Sequence, residues 1–123
     1  LYEKSLEKSP SPLSALCYNT PKNTSKGTKM SVTKTVTFIA KEGHEAELRT
    51  LLTLMVAPSK AEKGCTLYDI FEYKNTPGKF LVIESWEDEA ALDGHKASAH
   101  YAEYKANFEP HCAFKSSDDL DFL

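Results

Sequence analysis

The sequence predicts an α+β domain, a four-stranded antiparallel sheet with helices on one face. Three observations carry that prediction. Segments of period two and segments of helical spacing follow one another in the order β-α-β-β-α-β. The middle two β segments are joined by a loop short enough to make them an antiparallel hairpin. Proline, glycine and capping residues stand at the ends of the segments.

The first strand spans residues 32–41, where Val36, Phe38 and Ala40 alternate with Thr35, Thr37 and Ile39. Gly43 opens a helical run. Leu48, Leu51, Leu52 and Met55 fall on one face of it, with Glu45, Glu47 and Arg49 off that face. Pro58 lacks an amide donor and should end or kink this helix. Lys63-Gly64 is a turn, and residues 65–73 read as the second strand. Asn75-Thr-Pro-Gly78 carries strong turn chemistry before a third strand over residues 79–86. Asp88 should cap a helix running through Lys96, and Ser98 a second over roughly 99–108 that Pro110 stops. Residues 111–115 are a fourth strand. The acidic end, Asp118 to Leu123, is either a tail or part of a longer last strand. The order is the split-βαβ, ferredoxin-like pattern.

The chain has 123 residues, and its charge is uneven. Residues 1–29 carry five lysines and two glutamates, a net +3; residues 30–123 carry ten basic and sixteen acidic groups, a net −6. The first piece is rich in Ser, Thr, Pro, Asn and Lys and shows no sustained periodicity. We therefore divide the chain into an N-terminal extension, 1–29, and a domain, 30–123, with Met30 a possible natural start. Ser11-Pro12 allows a short helix over 12–17 within the extension.

The overall charge of −3 argues against nucleic acid as a partner. No apolar run exceeds four residues, whereas a membrane-spanning helix needs about twenty, so no membrane partner is expected. Cys17, Cys65 and Cys112 form no CxxC and leave one odd, which points to a reducing, cytoplasmic setting. The third strand is apolar at four consecutive positions, so both sheet faces should be covered. Two helices cover one face. A second copy of the same sheet is the simplest cover for the other, and a domain this small gains needed burial by dimerising.

No nucleotide loop, HExxH motif or Cys/His cluster is present. His95 and His100 are five residues apart and would face apart on one unbroken helix, which argues against a two-His metal site there. His95 follows Ala91 and Leu92 on the apolar face of its helix. It reads either as a core histidine bonded to backbone or as a proton acceptor or donor in a pocket between helix and sheet. Glu84 and Trp86 project from one face of their strand. With the hairpin centred near Thr76, Tyr68 lies opposite Glu84, so Tyr68, Glu84, Trp86 and His95 could line one cavity. Trp86 reads equally as a core anchor and Glu84 as a solvated strand-end charge. An acid buried in an apolar stripe needs a partner. Tyr101, Tyr104 and Phe108 form a helical stripe of the kind more often found in cores, and His100 sits one turn before Tyr104.

Three stretches resemble a known family. They are Ala40-Lys-Glu-Gly-His-Glu-Ala-Glu-Leu48, Ser59-Lys-Ala-Glu-Lys-Gly-Cys-Thr-Leu-Tyr-Asp69, and the run Phe80 to Tyr101 with its E-x-W…A-L-x-x-H-x-x-S-x-H-Y spacing. Residues 36–108 look like an antibiotic-biosynthesis-monooxygenase (ABM) domain, the dimeric α+β-barrel family that includes quinol monooxygenases. The resemblance implies a homodimer with sheets packed together and a ligand cavity between sheet and helices. It also implies, for some members, oxygenation of electron-rich phenols or quinols by O₂ with no metal, flavin or haem. Carried over residue by residue, it casts His95 as base, Tyr68 and Trp86 as positioning donors and Glu84 as orienter of a partner. His100, Tyr104 and Phe38 are the further substrate-binding positions. Haem-degrading relatives carry an Asn on the first strand. Thr35, Val36, Thr37 and Phe38 stand there instead, which disfavours haem degradation. Glu42 replaces a common Pro, and Pro58 interrupts a helix that is usually smooth. The expected activity is a cofactor-independent monooxygenase acting on a small quinol-like or polyphenolic substrate. The alternatives are a small-metabolite isomerase on the same fold and a non-catalytic, stress-associated dimer that binds a small ligand.

Overall fold

Alternating and helical patterns resolve into the expected order, with one helix cut in two on either side of the central hairpin. The structure is a computed structural model and describes residues 31–123. The proposed helix over 12–17, and the 1–29 extension itself, lie outside the described residues. The elements are β1 (Val32–Ala40), α1 (Glu45–Thr53), α2 (Val56–Lys60), β2 (Cys65–Glu72), β3 (Lys79–Trp86), α3 (Glu89–Lys96), α4 (Ala99–Asn107), a 3₁₀ turn (Glu109–His111) and β4 (Cys112–Leu120). The four strands form one antiparallel sheet in the order β2-β3-β1-β4.

The helix is interrupted one turn ahead of Pro58, as expected. The break falls before it, at Leu54 and Met55, and Pro58 sits in the first turn of α2. Amides of a first turn have no partner within the helix, so a proline there removes no hydrogen bond. Asp88 caps α3 as expected, its Oδ1 accepting from the Ala91 amide at 2.8 Å. Ser98 does two things. Its hydroxyl donates to the His95 carbonyl at 2.6 Å, closing α3, and accepts from the Tyr101 amide at 3.2 Å, opening α4.

The last strand is longer than residues 111–115. Asp118, Asp119 and Leu120 pair with Thr35, Lys34 and Thr33 of β1, so the acidic end continues the sheet. The hairpin register is the expected one, with Tyr68 opposite Glu84.

Period two divides the sheet into two unlike faces. Val36, Phe38, Tyr68, Phe80, Val82 and Trp86 are buried beneath the helices, against Leu48, Leu52 and Leu92. The opposite face carries Phe71, Phe114 and Leu120 at 47%, 50% and 47% exposure. No helix among the described residues is long and apolar enough to cross a membrane. Gly64 sits between α2 and β2 with φ +87°, and a Cβ built on it would lie 2.6 Å from the Ala91 Cβ of α3. Its carbonyl accepts from the Glu87 amide at 2.8 Å, so the turn and the start of α3 are in backbone contact.

Candidate active site

Between the covered face of the sheet and the helices lies a cavity of about 160 Å³. Its apolar wall includes Val36, Phe38, Leu52, Met55, Val82 and Leu92. Its polar groups are Lys34, Tyr68, Glu84, His95, Lys96, Tyr101, Tyr104, Lys115 and Ser117. Every strand and both C-terminal helices contribute, because alternate residues of each strand point to this side. Five of the seven site residues expected from sequence therefore meet here: Tyr68, Glu84, His95, Tyr104 and Phe38.

The other two do not reach the cavity. Trp86 is fully buried, and its indole N–H donates to Glu84 Oε1 at 2.8 Å. That donor is engaged within the fold, and Trp86 is not among the residues that line the cavity. Its ring lies 4.6 Å from that of His95 at 34° and backs the imidazole. The Trp86 indole N–H is the partner of the buried Glu84, which is 7% exposed. His100 is likewise absent from the lining; its Nε2 bonds to Glu62 Oε2 at 2.6 Å.

Glu62 is the residue sequence reasoning missed. Its Oε2 also bonds to His95 Nδ1 at 2.7 Å. An ionised carboxylate only accepts, so the hydrogens in both bonds lie on the imidazoles. His95 then carries its hydrogen on Nδ1 and leaves Nε2 as the nitrogen that can take a proton. The sequence signal for Glu62 was its place in the Ser59–Asp69 stretch. Lys115 and Ser117 of β4 also line the cavity and were not singled out from the sequence. His95 and His100 come together because the chain turns at Ser98, and the two imidazoles converge from α3 and α4 on one oxygen.

Burial sets the electrostatics. It raises the Tyr68, Tyr101 and Tyr104 hydroxyls above the ordinary phenol range, with the Glu84 charge adding to the first two and Tyr101 to the third. All three therefore stay protonated and can donate. Lys115 is pushed the other way, by burial first and then by Lys105. Its Nζ lies 5.1 Å over the Phe108 ring and 5.7 Å over Tyr104, a cation held by aromatic faces at the cavity. Lys34 is paired with Asp119 at 3.0 Å. The lining thus combines one imidazole, three phenol donors, one carboxylate and three lysines, and the cations outnumber the carboxylate, which suits it to stabilising an organic anion.

Two groups among the described residues bring three potential metal ligands within 4.8 Å: Glu62, His95 and His100, and His44, Glu47 and His111. In the first, both ring nitrogens are already occupied as donors to the carboxylate.

Comparison with known proteins now decides the family. The family model described as "Antibiotic biosynthesis monooxygenase" matches residues 31–107, more than half of the chain. The chain belongs to the ABM family. The "Putative monooxygenase Rv0793" of Mycobacterium tuberculosis is 36% identical over 69 residues, 56% of this chain and 67% of that protein. The "Putative monooxygenase YcnE" of Bacillus subtilis is 38% identical over 52 residues, 42% of this chain and 55% of that one. Among solved structures, PA3566 from Pseudomonas aeruginosa superposes with a TM-score of 0.74 at 32% identity, covering 78% of this chain and 97% of that one. Rv0793 superposes at 0.72 and 29%, covering 76% and 96%. The ABM match ends with α4, so β4, with Lys115 and Ser117, lies beyond the matched residues.

Proposed function

We propose that this ABM protein is a cofactor-independent monooxygenase that oxidises a single-ring quinol or polyphenol with O₂. The observation that carries the reading is His95, which lines the cavity and is held by Glu62 through Nδ1. A dry cavity of about 150 Å³ accommodates benzene, so the 160 Å³ here suits one ring.

His95 Nε2 takes the proton of a ring hydroxyl. The three phenols and Lys115 hold the resulting quinolate. The quinolate passes an electron to O₂, and the semiquinone and superoxide combine through a new bond from ring carbon to oxygen. The O–O bond then breaks. One oxygen stays on the ring and the other leaves as water, taking back the proton from His95. The substrate is the only reductant. Quinol plus O₂ gives hydroxyquinone plus water, and atoms and electrons balance.

The same reading includes a homodimer through the open sheet face, supported by its exposed apolar residues. It also includes a reducing, cytoplasmic setting, supported by Cys65 and Cys112 as free thiols. The test is oxygen uptake with a panel of single-ring quinols. His95→Ala is expected to lower kcat by about 10² or more with the fold retained by circular dichroism. Uptake unchanged in that variant removes His95 as the base. A panel that consumes no O₂ removes the monooxygenase reading.

A further inference from the structure

The second ligand cluster lies away from the cavity, and none of its residues lines it. We propose that His44, Glu47 and His111 bind a divalent cation of the zinc class. His44 is the N-cap of α1, Glu47 stands three residues on, and His111 ends the 3₁₀ turn before β4. Backbone bonds bring the two segments together: Lys41 donates to the His111 carbonyl at 2.9 Å, and His44 donates to the Lys41 carbonyl at 2.9 Å. The ligands are thus positioned by the main chain and not by their own side chains.

The ring nitrogens decide the chemistry. His44 Nδ1 and His111 Nδ1 face each other at 3.0 Å. Two facing nitrogens share one hydrogen, so one of them already presents a lone pair, and the other frees its Nδ1 for a cation when its hydrogen moves to the Nε2 of the same ring. Two nitrogens about 2.0–2.1 Å from a tetrahedral zinc lie about 3.3 Å apart, so the rings need to part by only a few tenths of an ångström. All three ligand atoms lie within 4.8 Å of one another. Glu47 is exposed and can turn inward without first leaving a buried partner. Two imidazoles and a carboxylate form the His₂Glu donor set that zinc accepts while keeping a fourth position open. That position would face a shallow groove formed by Ala46, Thr50, Leu51 and Leu54. The Glu62 cluster differs at the decisive point, since each of its imidazoles faces a carboxylate oxygen and not another nitrogen.

The experiment is calorimetric titration of the full chain with zinc chloride after chelator treatment and dialysis, with cobalt(II) absorption as a second readout. One equivalent is expected to bind, and cobalt is expected to give visible bands of a four-coordinate site. His44→Ala and His111→Ala should each weaken zinc binding more than about tenfold. Glu47→Gln, an exposed change that leaves both rings in place, should weaken it without altering the melting curve of the zinc-free protein. The site is overturned if no zinc binds, or if binding survives both histidine changes. It is overturned too if His100→Ala abolishes binding and Glu47→Gln does not. None of these readouts depends on monooxygenase activity.

Discussion

Glu62 accepts hydrogens from His95 at 2.7 Å and His100 at 2.6 Å through a single oxygen. Its neighbours on that oxygen come from two helices, so the carboxylate fixes the imidazole of His95 in direction as well as in tautomer. Trp86 completes the support from the opposite side, ring against ring. Glu62→Gln keeps the size and one acceptor but loses the charge. On the proposed function, the expected result is a fall in kcat of about 10²-fold with KM little changed, because the base is misplaced and not removed. Steady-state oxygen uptake checks this, and Glu62→Asp should restore part of the rate. A KM effect alone would assign Glu62 to substrate binding. Little in the sequence exposes this residue. It lies in the connection between α2 and β2, where no periodicity marks a side. His95, by contrast, was legible because Ala91 and Leu92 precede it on one face of a capped helix.

Elements are held to one another by a few directed polar contacts. Arg49 of α1 makes a two-pronged pair with Glu72 at the end of β2, with both bonds at 2.8 Å. The second Glu72 oxygen also accepts from the Gly78 amide at 2.9 Å, so one carboxylate ties α1 to the hairpin loop. These bonds, Arg49 first, draw the Glu72 carboxyl from 4.5 down to about 2. A depressed carboxyl stabilises the fold above the unfolded value and loses that contribution as pH falls towards the folded one. The window is therefore between 4.5 and about 2. The pair is partly exposed, which keeps its contribution modest. Melting curves at about pH 7 and about pH 3 are expected to show a smaller drop for Glu72→Gln than for the unaltered protein. An equal drop would show that the clasp carries no acid sensitivity. At this scale the sequence is readable where the signal is local. Asp88 and Ser98 act as the caps they were expected to be, and the hairpin register follows from its short loop. The split of α1 from α2 and the length of β4 were less legible. Leu54 and Met55 continue a helical pattern through the break, so its position, unlike its cause in Pro58, is not marked by periodicity. Asp118 and Asp119 look like a solvated tail until β1 supplies them with backbone partners.

Among the described residues, one face of the sheet is left open. Phe71, Phe114, Leu120 and Ile39 lie exposed on the sheet, and a second sheet offers the same chemistry in return. Stable contacts bury about 800 Å² per partner, an area a sheet face can supply. Sedimentation is expected to give twice the 13.7 kDa of one chain, and Phe114→Asp to shift the protein towards that single mass. A wild-type protein that sediments as one chain would remove the dimer. Because the domain is acidic, association should tighten as salt screens repulsion between copies.

Gly64 gives the proposed base its address. Its missing side chain lets the turn before β2 lie against Ala91, one helical turn ahead of His95 and two residues after Glu62 in the chain. Any other residue would have to push α3 outward and would also strain a left-handed backbone. The acid and the imidazole come from segments that share no hydrogen-bonded strand or helix, so their separation is gauged by how closely those segments touch. The width of that gap is set by one carbon atom that the chain does not have.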